Sequence, residues 1–227
     1  MSQKQGIFTA MGGKVVFERG DYNITSDAVW LAAFAPDAKT VLDVGVGTGG
    51  ISLCYMAHNP NTTVTGIDIS SDMLDSCANN AKLNNRELEL INTDILNWKT
   101  DRTFDLVISN PPYFRGTPAQ HGAHHNTDLG EWTRRCIRRI RPNGYFCTIV
   151  DTATAAEVIS SLTPTCGDLT IFPLFGAKNT AERVLISARL GTRGGTRVFS
   201  GLSMNYDPVL RDGLTIVSVL ATLSKTC

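Results

Sequence analysis

The sequence predicts an α/β fold in which helices cover both faces of a mostly parallel, doubly wound sheet. Short apolar segments typical of buried strands alternate with helical segments of about ten residues, and this alternation is the pattern of βαβ units. The first of these strands runs directly into a glycine cluster at residues 45–50. Acidic or amide residues follow several strands, and the carboxyl ends of parallel strands meet at one edge of a sheet, where ligands bind. We therefore expect one crevice that collects these polar residues.

The predicted elements of the first half of the chain lead up to this crevice. Residues 14–18 are expected to form a β-ribbon, and Thr25 or Ser26 to begin a helix. Further on, β-branched residues predict strands, and an apolar face at helical spacing predicts helices. The resulting order is a strand at 40–44, a helix at 51–58, a strand at 63–69, a helix at 72–83 capped by Ser70 or Ser71, and strands at 88–91 and 104–109.

The second half continues the alternation. We expect a helix at 129–140, a strand at 145–150, a helix at 153–162, and strands at 169–174 and 183–190. Residues 210–223 fit a helix by the spacing of their apolar residues and a strand by their β-branched residues, so both possibilities stay open. The chain is expected to form a single globular domain, in which residues 1–38 pack as a ribbon and helix on a core of residues 39–227.

The composition is that of an ordinary globular protein, with 42% hydrophobic residues, 19% charged residues and a net charge of zero. The longest apolar stretches, at 29–35 and 214–223, are too short to cross a bilayer, and the first six residues lack the apolar core of a secretory signal. We therefore expect a cytoplasmic protein without a membrane partner, and most simply a monomer. A zero net charge leaves nucleic-acid binding open, because a local patch rather than the total charge attracts a polyanion.

Neither the cysteines nor the histidines predict a metal site. The six cysteines are scattered without a Cys-x-x-Cys pair, and a reducing cytosol argues against disulfides. His121, His124 and His125 cluster near Asp128, but their spacing matches no ligand set for a tetrahedral site. We expect no bound metal.

The glycine cluster is the first ligand-binding motif. Gly45, Gly47 and Gly50 satisfy the dinucleotide-binding pattern G-x-G-x-x-G, and Asp68 stands about where a nicotinamide enzyme keeps its ribose-binding acid. Glycines let the backbone turn sharply and approach a ligand where a Cβ atom would collide. From this loop alone, an NAD-dependent oxidoreductase is a possible function.

Two further acids favour a different cofactor. Asp43 precedes the loop, where a carboxylate suits a cationic amine better than a pyrophosphate. Asp94 closes the next strand and can accept a hydrogen bond from an adenine amino group; alternatively, it caps the short turn at residues 95–98. A ligand with a sulfonium, an ammonium and a ribose fits three spaced acids better than a diphosphate does. The sequence therefore predicts S-adenosylmethionine rather than NAD.

The segment Asn110-Pro111-Pro112-Tyr113 is the most specific motif in the chain. Its prolines fix φ and remove two N–H donors, which leaves carbonyl acceptors on a stiff loop. The side-chain carbonyl of Asn110 and the backbone carbonyl of Pro111 can hold the two hydrogens of a planar amine and aim its lone pair at a methyl donor. Tyr113 can stack on an extruded base. We expect this motif to be the catalytic acceptor site; a rigid Pro-Pro turn with a surface tyrosine is the structural alternative.

Together, the Asp-x-Gly-x-Gly-x-Gly loop, an acid after the second strand and Asn-Pro-Pro-Tyr after the fourth resemble the signature of class I amino-methylating methyltransferases, which have a Rossmann-like, seven-stranded sheet. Within that group, residues 21–29, Phe114 and residues 181–186 make the chain similar to the bacterial valine-tRNA adenine-N6 methyltransferases, which modify the adenine just 3′ of the anticodon. The resemblance spans roughly residues 20 to 190.

The resemblance implies that S-adenosylmethionine is the cofactor and that the substrate is an adenine of tRNA, at position 37, methylated on N6. The implied contacts are Asp43, Gly45, Gly47 and Gly49 with the methionine part, Asp68 with the ribose hydroxyls, Asp94 and Ile95 with the adenine, and Asn110, Pro111, Pro112 and Tyr113 with the acceptor; Ile69 and Asn110 are also expected to contact the cofactor. Residues 25–27 match the segment that closes over the cofactor in relatives. The N-terminus departs from what an RNA enzyme suggests, since only Lys4, Lys14 and Arg19 are cationic before residue 30.

Basic residues that can contact RNA are expected elsewhere. Five arginines are packed into the eight residues that begin at Arg134, and the first two, Arg134 and Arg135, lie nearest the strand ends. A solvated face of an amphipathic helix explains this group equally well. A second group, Arg189, Arg193 and Arg197, lies among glycines that suggest an exposed hairpin.

Alternative functions stay open at this point. A glutamine amide in a protein such as a release factor poses the same lone-pair problem, and release-factor methyltransferases carry the same tetrapeptide. DNA adenine methylation is less favoured because no separate target-recognition region is evident. From other classes, an NAD-dependent oxidoreductase and a cofactor-binding module without activity remain.

Overall fold

Apolar, β-branched segments pair into one central sheet in the computed structural model, which describes residues 6–20, 24–111, 128–177 and 179–224. The strands are β1 (Ile7–Ala10), β2 (Val15–Glu18), β3 (Thr40–Val44), β4 (Thr63–Asp68), β5 (Glu89–Asn92), β6 (Phe104–Ser109), β7 (Ile140–Asp151), β8 (Cys166–Phe175), β9 (Ala181–Leu190), β10 (Arg197–Val198) and β11 (Leu202–Ser203). Strands β1 and β2 form a separate antiparallel ribbon, and the other nine form the sheet.

The sheet order is β10-β8-β9-β7-β6-β3-β4-β5, with β11 also pairing with β8. Strands β3 to β7 pair in parallel, whereas β9 runs antiparallel to both of its neighbours. From β3 the chain winds outward to β5 and then returns to β6 on the other side of β3. The prediction of a mostly parallel, doubly wound sheet is confirmed. Its seven expected strands are β3 to β9, and the two-residue strands β10 and β11, which are too short to show a sequence pattern, extend the sheet to nine.

Seven helices accompany the sheet in the described part of the chain. They are α1 (Ser26–Phe34), α2 (Gly50–His58), α3 (Ser71–Leu83), α4 (Leu129–Ile137), α5 (Ala155–Leu162), α6 (Asp207–Leu210) and α7 (Ile216–Leu223). The predicted cap of α3 is confirmed, because the Ser70 hydroxyl accepts from the Met73 N–H at 3.4 Å. Within the described ranges, no helix is both long and apolar enough to cross a membrane.

Alternating side chains along the strands divide the core into two apolar layers. On one face, Val41 and Leu106 belong to a layer with α1 and α2, and the fully buried ring of Trp30 in α1 lies in this layer. On the other face, Leu42 and Val107 belong to a layer with α4 and α5. The helix of the N-terminal segment therefore shares its apolar layer with a helix of the βαβ core.

Two predictions about the second half of the chain are wrong. The helix predicted at 129–140 ends at Ile137, because the chain joins the sheet at Ile140, which pairs with Phe104 and begins β7 before the predicted start. The hairpin predicted after β9 is also absent from the described loop. There, the Asp168 N–H donates to the Gly194 carbonyl at 3.1 Å, so the loop crosses the start of β8 and continues into β10, which pairs with β8 in parallel.

The stretch at 210–223, for which both helix and strand stayed open, contains a helix. Gly213, with φ of 60°, turns the chain after α6. The Thr215 side chain then accepts from the Ser218 N–H at 3.2 Å and caps α7. The β-branched residues of α7 are accommodated because Ile216 and Val219 bury one helical face.

Candidate functional site

The return of the chain from β5 to β6 brings the ends of β3 and β6 side by side. Val44, the last residue of β3, pairs with Ser109, the last residue of β6. The next residues along the two strands are Gly45 and Asn110, so the predicted cofactor loop and the predicted acceptor motif leave the sheet at neighbouring positions. The crevice beside such a switch point is the usual ligand site of a doubly wound sheet.

The loop after β3 has a backbone for which glycine is needed. The φ angles of Gly45, Gly47 and Gly49 are 76°, 53° and 87°, in the left-handed region that residues with a Cβ atom disfavour. At Gly49 space is limiting as well, since a Cβ atom there would lie 2.8 Å from Sγ of Cys77. The Gly45 N–H donates to the Ile67 carbonyl at 2.9 Å. The loop is thus held against β4 and leads directly into α2.

A buried tryptophan joins the two strand ends. Trp132 of α4 is 8% exposed, and a Cβ atom on Gly45 would be 3.8 Å from its ring. Its Nε1 donates to the Ser109 hydroxyl at 3.2 Å, and that hydroxyl donates to the Val44 carbonyl at 2.9 Å. The sequence carried no signal for this contact of Trp132 with the glycine loop.

Asp43 in β3 is fully buried. Its Oδ2 accepts from the Ser52 hydroxyl at 2.6 Å, whereas its Oδ1 has no hydrogen-bond partner among the described residues. Burial raises the pKa of Asp43 from 3.8 to about 7; the hydrogen bond from Ser52 opposes this rise, and the negative charge of Asp68 adds to it. A cationic group beside Oδ1 would supply the missing partner and favour the ionised carboxylate.

Asp68, at the end of β4, is tied to the glycine loop. Its Oδ2 accepts from the Gly47 N–H at 2.9 Å, and its Oδ1 accepts from the Ser70 N–H at 3.0 Å. A carboxylate has about four acceptor positions, so this one can still accept from the hydroxyls of a ligand. Ile69, the next residue, exposes 40% of its surface and offers an apolar contact beside the carboxylate.

Asp94 and Ile95 follow β5, two strands away from the glycine loop. Oδ1 of Asp94 accepts from the Leu96 N–H at 2.9 Å, and Oδ2 accepts from Nδ2 of Asn97 at 3.1 Å. Asp94 therefore caps its own turn, which is the alternative role given by the sequence. Ile95 is 2% exposed and belongs to the apolar layer of α4 and α5.

Asn110 begins the acceptor motif directly after β6. Its Oδ1 is buried and has no hydrogen-bond partner among the described residues. Leaving a buried carbonyl oxygen without a donor costs about 1–3 kcal/mol, so this atom is ready to accept from a bound ligand. Pro111 is buried beside it. Pro112, Tyr113 and the rest of the segment through residue 127, with Phe114 and the histidine cluster, lie outside the described residues.

The two family-like segments outside the motifs meet at the same edge of the sheet. Oδ2 of Asp27, in the first turn of α1, lies 3.1 Å from Nε of Arg183 in β9. In the register of the two strands, Arg183 lies opposite Asp151, the last residue of β7. The carboxyl end of β7 is next to that of β6. The segment at 25–27 is therefore anchored beside the acceptor side of the crevice.

The two predicted groups of arginines differ in whether carboxylates neutralise their charge. Arg134 and Arg135 both pair with Glu131, at 3.1 and 2.7 Å. Arg193 and Arg197 are exposed, and within the described part of the chain neither forms an ion pair with a carboxylate. Arg134 also lies 3.6 Å from Oδ2 of Asp128. Arg193 and Arg197 therefore leave more uncompensated positive charge at the surface than Arg134 and Arg135 do.

Metal-binding chemistry finds no support in the described ranges, where no three His, Cys, Asp or Glu side chains come together to hold an ion. Burial raises the pKa of the Cys54 and Cys77 thiols to about 12, so both stay protonated at neutral pH and are poor ligands and nucleophiles.

Comparison with known proteins places these features in a family. The sequence profile of the methyltransferase small domain family matches residues 8–162. A tRNA1(Val) (adenine(37)-N6)-methyltransferase from a Flavobacteriaceae bacterium is 35% identical over 151 residues, which cover 63% of this chain and 63% of that protein. The matched region is thus less than two thirds of the length of that relative. The predicted resemblance to the valine-tRNA adenine-N6 methyltransferases is confirmed.

Two further comparisons extend this result. The release factor glutamine methyltransferase of Lactococcus lactis is 40% identical over 83 residues, covering 37% of this chain and 30% of that protein. The crystal structure of a predicted O-methyltransferase from Agrobacterium tumefaciens superposes with a TM-score of 0.65 at 23% identity, covering 79% of this chain and 88% of that one. The structural likeness confirms the predicted class I methyltransferase fold. By the profile match across its glycine loop, strand ends and acceptor motif, the chain belongs to the methyltransferase small domain family.

Proposed function

We propose that the protein is an S-adenosylmethionine-dependent methyltransferase that methylates N6 of an adenine in tRNA, at position 37. The observation that carries this proposal is the buried Oδ1 of Asn110, which has no hydrogen-bond partner among the described residues and follows β6 directly beside the glycine loop that follows β3. An amide oxygen in that place can accept a hydrogen of an amine brought against the cofactor. The 35% identical relative is a tRNA1(Val) (adenine(37)-N6)-methyltransferase, which supports both the methyl acceptor and the position.

The residues around the glycine loop fit S-adenosylmethionine. Within the part of the chain that the structure describes, Oδ1 of Asp43 lacks a donor, and an ammonium group would provide one. Asp68 keeps acceptor capacity for ribose hydroxyls, and the exposed Ile69 offers an apolar face to the adenine ring. Asp94 already accepts two hydrogen bonds within its turn, so its contact with the adenine amino group would use a remaining lone pair.

The acceptor motif would prepare the amine for transfer. Bound S-adenosylmethionine supplies a methyl group activated by the sulfonium. Asn110 accepts one amino hydrogen at Oδ1, and the Pro111 carbonyl accepts the other. With both hydrogens held, the nitrogen lone pair is turned out of conjugation with the ring and towards the methyl group. Fixed dipoles of this kind stabilise the positive charge that develops on the nitrogen. Once the nitrogen is methylated, its surplus proton stays on the nitrogen, hydrogen-bonded to Oδ1, until it passes to water.

A tRNA substrate requires a cationic surface as well as an acceptor pocket. Arg193 and Arg197, on the loop and strand that follow β9, are exposed and form no ion pair with a carboxylate in the described part of the chain. We propose that they contact the phosphate backbone, and that Arg134 and Arg135 contribute less because Glu131 and Asp128 compensate their charge. The enzyme would then act in the cytoplasm, where its substrate is.

A glutamine amide in a protein is the second candidate acceptor. The 40% identical stretch of the release factor glutamine methyltransferase favours it, and a planar amide presents the same lone-pair problem to Asn110. That match covers only 37% of this chain, so we rank adenine first.

Methyl transfer to defined acceptors tests the proposal. The purified full chain is incubated with labelled S-adenosylmethionine and, separately, with bulk tRNA, duplex DNA and a release factor. Labelled tRNA is digested to nucleosides and analysed by mass spectrometry. We expect label in tRNA as N6-methyladenosine, in valine tRNA at position 37. Label confined to the release factor would replace adenine by glutamine as the acceptor, and absence of label from all three would contradict the proposed activity.

A further inference from the structure

Two asparagines at the C-terminal end of α3, Asn80 within the helix and its C-cap Asn84, pair with the free edge of the N-terminal ribbon. Nδ2 of Asn84 donates to the Val16 carbonyl at 2.7 Å, and its Oδ1 accepts from the Val16 N–H at 2.8 Å. Oδ1 of Asn80 accepts from the Glu18 N–H at 2.9 Å. An exposed strand edge carries unpaired N–H and C=O groups. The two side chains satisfy this edge of β2 as a neighbouring strand would.

Asn80, unlike Asn84, also forms a hydrogen bond with the glycine loop. Its Nδ2 donates to the Thr48 carbonyl at 2.9 Å, so one amide joins β2 to the glycine loop. Asn80 is 3% exposed, and water therefore cannot replace either hydrogen bond without a rearrangement. Nδ2 of Asn84 instead donates to the backbone carbonyls of Val16 and Asn80. Within the described residues, neither of these hydrogen bonds reaches the loop.

The carbonyl held by Asn80 belongs to a peptide with unusual freedom. Thr48 lies between Gly47 and Gly49, whose φ values of 53° and 87° are both in the left-handed region. Glycines on both sides let this segment adopt several conformations, and ordering it costs conformational entropy. Cys77, one turn before Asn80 on the same face of α3, packs against Gly49. Helix α3 therefore holds the glycine loop through the contacts of Asn80 with Thr48 and of Cys77 with Gly49.

We infer that Asn80 is a positioning residue of the methyl-donor site, which holds the Thr48 peptide in the conformation that receives the cofactor and couples the N-terminal ribbon to that loop. This inference rests on the proposed function, because it takes residues 45–50 as the cofactor loop. Without the amide, the loop must be ordered by the ligand, and the ligand's affinity falls. The acceptor side, at Asn110, is not touched by this contact.

Asp substitutions separate the loop contact from the ribbon contact. In Asn80→Asp the remaining oxygen still accepts from the Glu18 N–H, but the donor to Thr48 becomes a carboxylate facing a carbonyl. In Asn84→Asp a donor is also lost, but from the Val16 and Asn80 carbonyls, neither of which belongs to the loop. The two variants carry the same chemical change and both residues contact the ribbon, but only the first alters the loop.

The test measures binding of S-adenosylhomocysteine by calorimetry, together with the KM for S-adenosylmethionine, the KM for tRNA and kcat. We expect Asn80→Asp to weaken binding and raise the cofactor KM about tenfold or more, the effect of one lost hydrogen bond and a new repulsion. Its kcat at saturating cofactor and its KM for tRNA should stay within about threefold, and Asn84→Asp should bind the ligand within about twofold of the unsubstituted protein.

Equal losses of affinity in the two variants, or unchanged affinity in Asn80→Asp, would overturn the inference, since either result makes Asn80 a structural residue only. If Asn80→Asp does not fold by circular dichroism, Asn80→Ser is compared with Asn84→Ser by the same criteria. Failure of the unsubstituted protein to bind S-adenosylhomocysteine would overturn the proposed function and this inference with it. Normal binding without methyl transfer to tRNA would overturn only the proposed acceptor.

Discussion

Oδ2 of Asp27 lies 3.1 Å from Nε of Arg183, although 156 residues separate them in the chain. The Asp27 side chain is 7% exposed and that of Arg183 27%, so the carboxylate is the more deeply buried partner. The pair connects the start of α1 with β9 at the carboxyl edge of the sheet. The segment predicted to close over the cofactor is thereby fixed to a strand on the acceptor side.

The unequal burial of this pair predicts unequal effects of removing its members. Arg183→Met leaves a buried carboxylate without its guanidinium and should lower the free energy of unfolding by about 3 kcal/mol. Asp27→Asn leaves a cation that water still reaches, and should cost about 1–2 kcal/mol. Urea unfolding of both variants and of the double variant measures the coupling. A larger loss in Asp27→Asn than in Arg183→Met would contradict this assignment of the buried partner.

The raised pKa of Asp43 predicts that stability falls with pH in the ligand-free protein. The folded protein holds this proton up to a pKa of about 7, whereas the unfolded chain releases it near the ordinary pKa of 3.8. The contribution of Asp43 is therefore complete below about pH 4, declines as the pH rises and levels off above about pH 7. Its full size is on the order of 4 kcal/mol.

Asp43→Asn cannot titrate, so its stability should lack this decline. Urea unfolding at pH 5, 6, 7 and 8, without ligand, should show the difference between the unsubstituted protein and the variant narrowing or reversing as the pH rises. Parallel pH profiles would mean that Asp43 is ionised when the protein is folded. Binding of S-adenosylhomocysteine to the unsubstituted protein should tighten between pH 5.5 and 7.5, because the ionised carboxylate pairs with the ligand ammonium.

The central fold could be predicted because its strands and helices are specified by patterns within short stretches of sequence. The β-branched runs of β3 and β4, the Ser70 cap and the apolar face of α3 each act over a few residues. The path from β9 to β10 could not be predicted, because it depends on a contact between Asp168 and Gly194 across the sheet. Likewise, α4 ends where pairing of Ile140 with Phe104 begins, and that pairing has no local pattern.

In the candidate site, too, the features set by local sequence could be predicted and those set by distant contacts could not. Motif spacing placed Asp43, the glycine loop and Asn110 at strand ends that the fold brings together. The supports behind them, Trp132 and Asn80, had no comparable signal. Their partners are distant in the chain, as with Nδ2 of Asn80 and the Thr48 carbonyl, 32 residues apart, and only the packing of α3 and α4 makes these contacts.

Asp68 is predicted to have two effects that can be measured separately. Asp68→Ala removes the proposed ribose acceptors and the hydrogen bonds from Gly47 and Ser70. Affinity for S-adenosylhomocysteine should fall by about 1–3 kcal/mol, with a loss of stability. Asp68→Asn keeps one acceptor oxygen and should lie between Asp68→Ala and the unsubstituted protein. Asp72→Asn, which removes an exposed acid in the first turn of α3, is the control and should bind normally. Unchanged affinity in Asp68→Ala would mean that the ribose acid is misassigned.

The exposed arginines predict a salt-dependent contribution to RNA binding. Reversal of Arg193 and Arg197 to Glu should weaken tRNA binding and reduce the slope of log affinity against log salt by about 1–2. The same reversal at Arg134 and Arg135, whose charges Glu131 and Asp128 compensate, is the matched control and should have a smaller effect. Fluorescence anisotropy with labelled tRNA at several salt concentrations measures both quantities. An effect of the control as large as that of the first pair would place the RNA on α4 instead.

Asn110 is predicted to act on turnover and to leave cofactor binding intact. Asn110→Ala removes the buried carbonyl oxygen that lacks a partner among the described residues, so it deprives the amine of one acceptor without breaking a described hydrogen bond of Oδ1. The loss of one fixed dipole at the reacting centre should lower kcat by about 100-fold or more. Affinity for S-adenosylhomocysteine should change by less than about threefold, because the proposed methionine and ribose contacts lie on β3 and β4. Single-turnover methylation and calorimetry on one preparation separate the two effects. Equal losses of rate and affinity would assign Asn110 a structural role, whereas a loss of rate alone would identify its oxygen as the group that prepares the acceptor nitrogen.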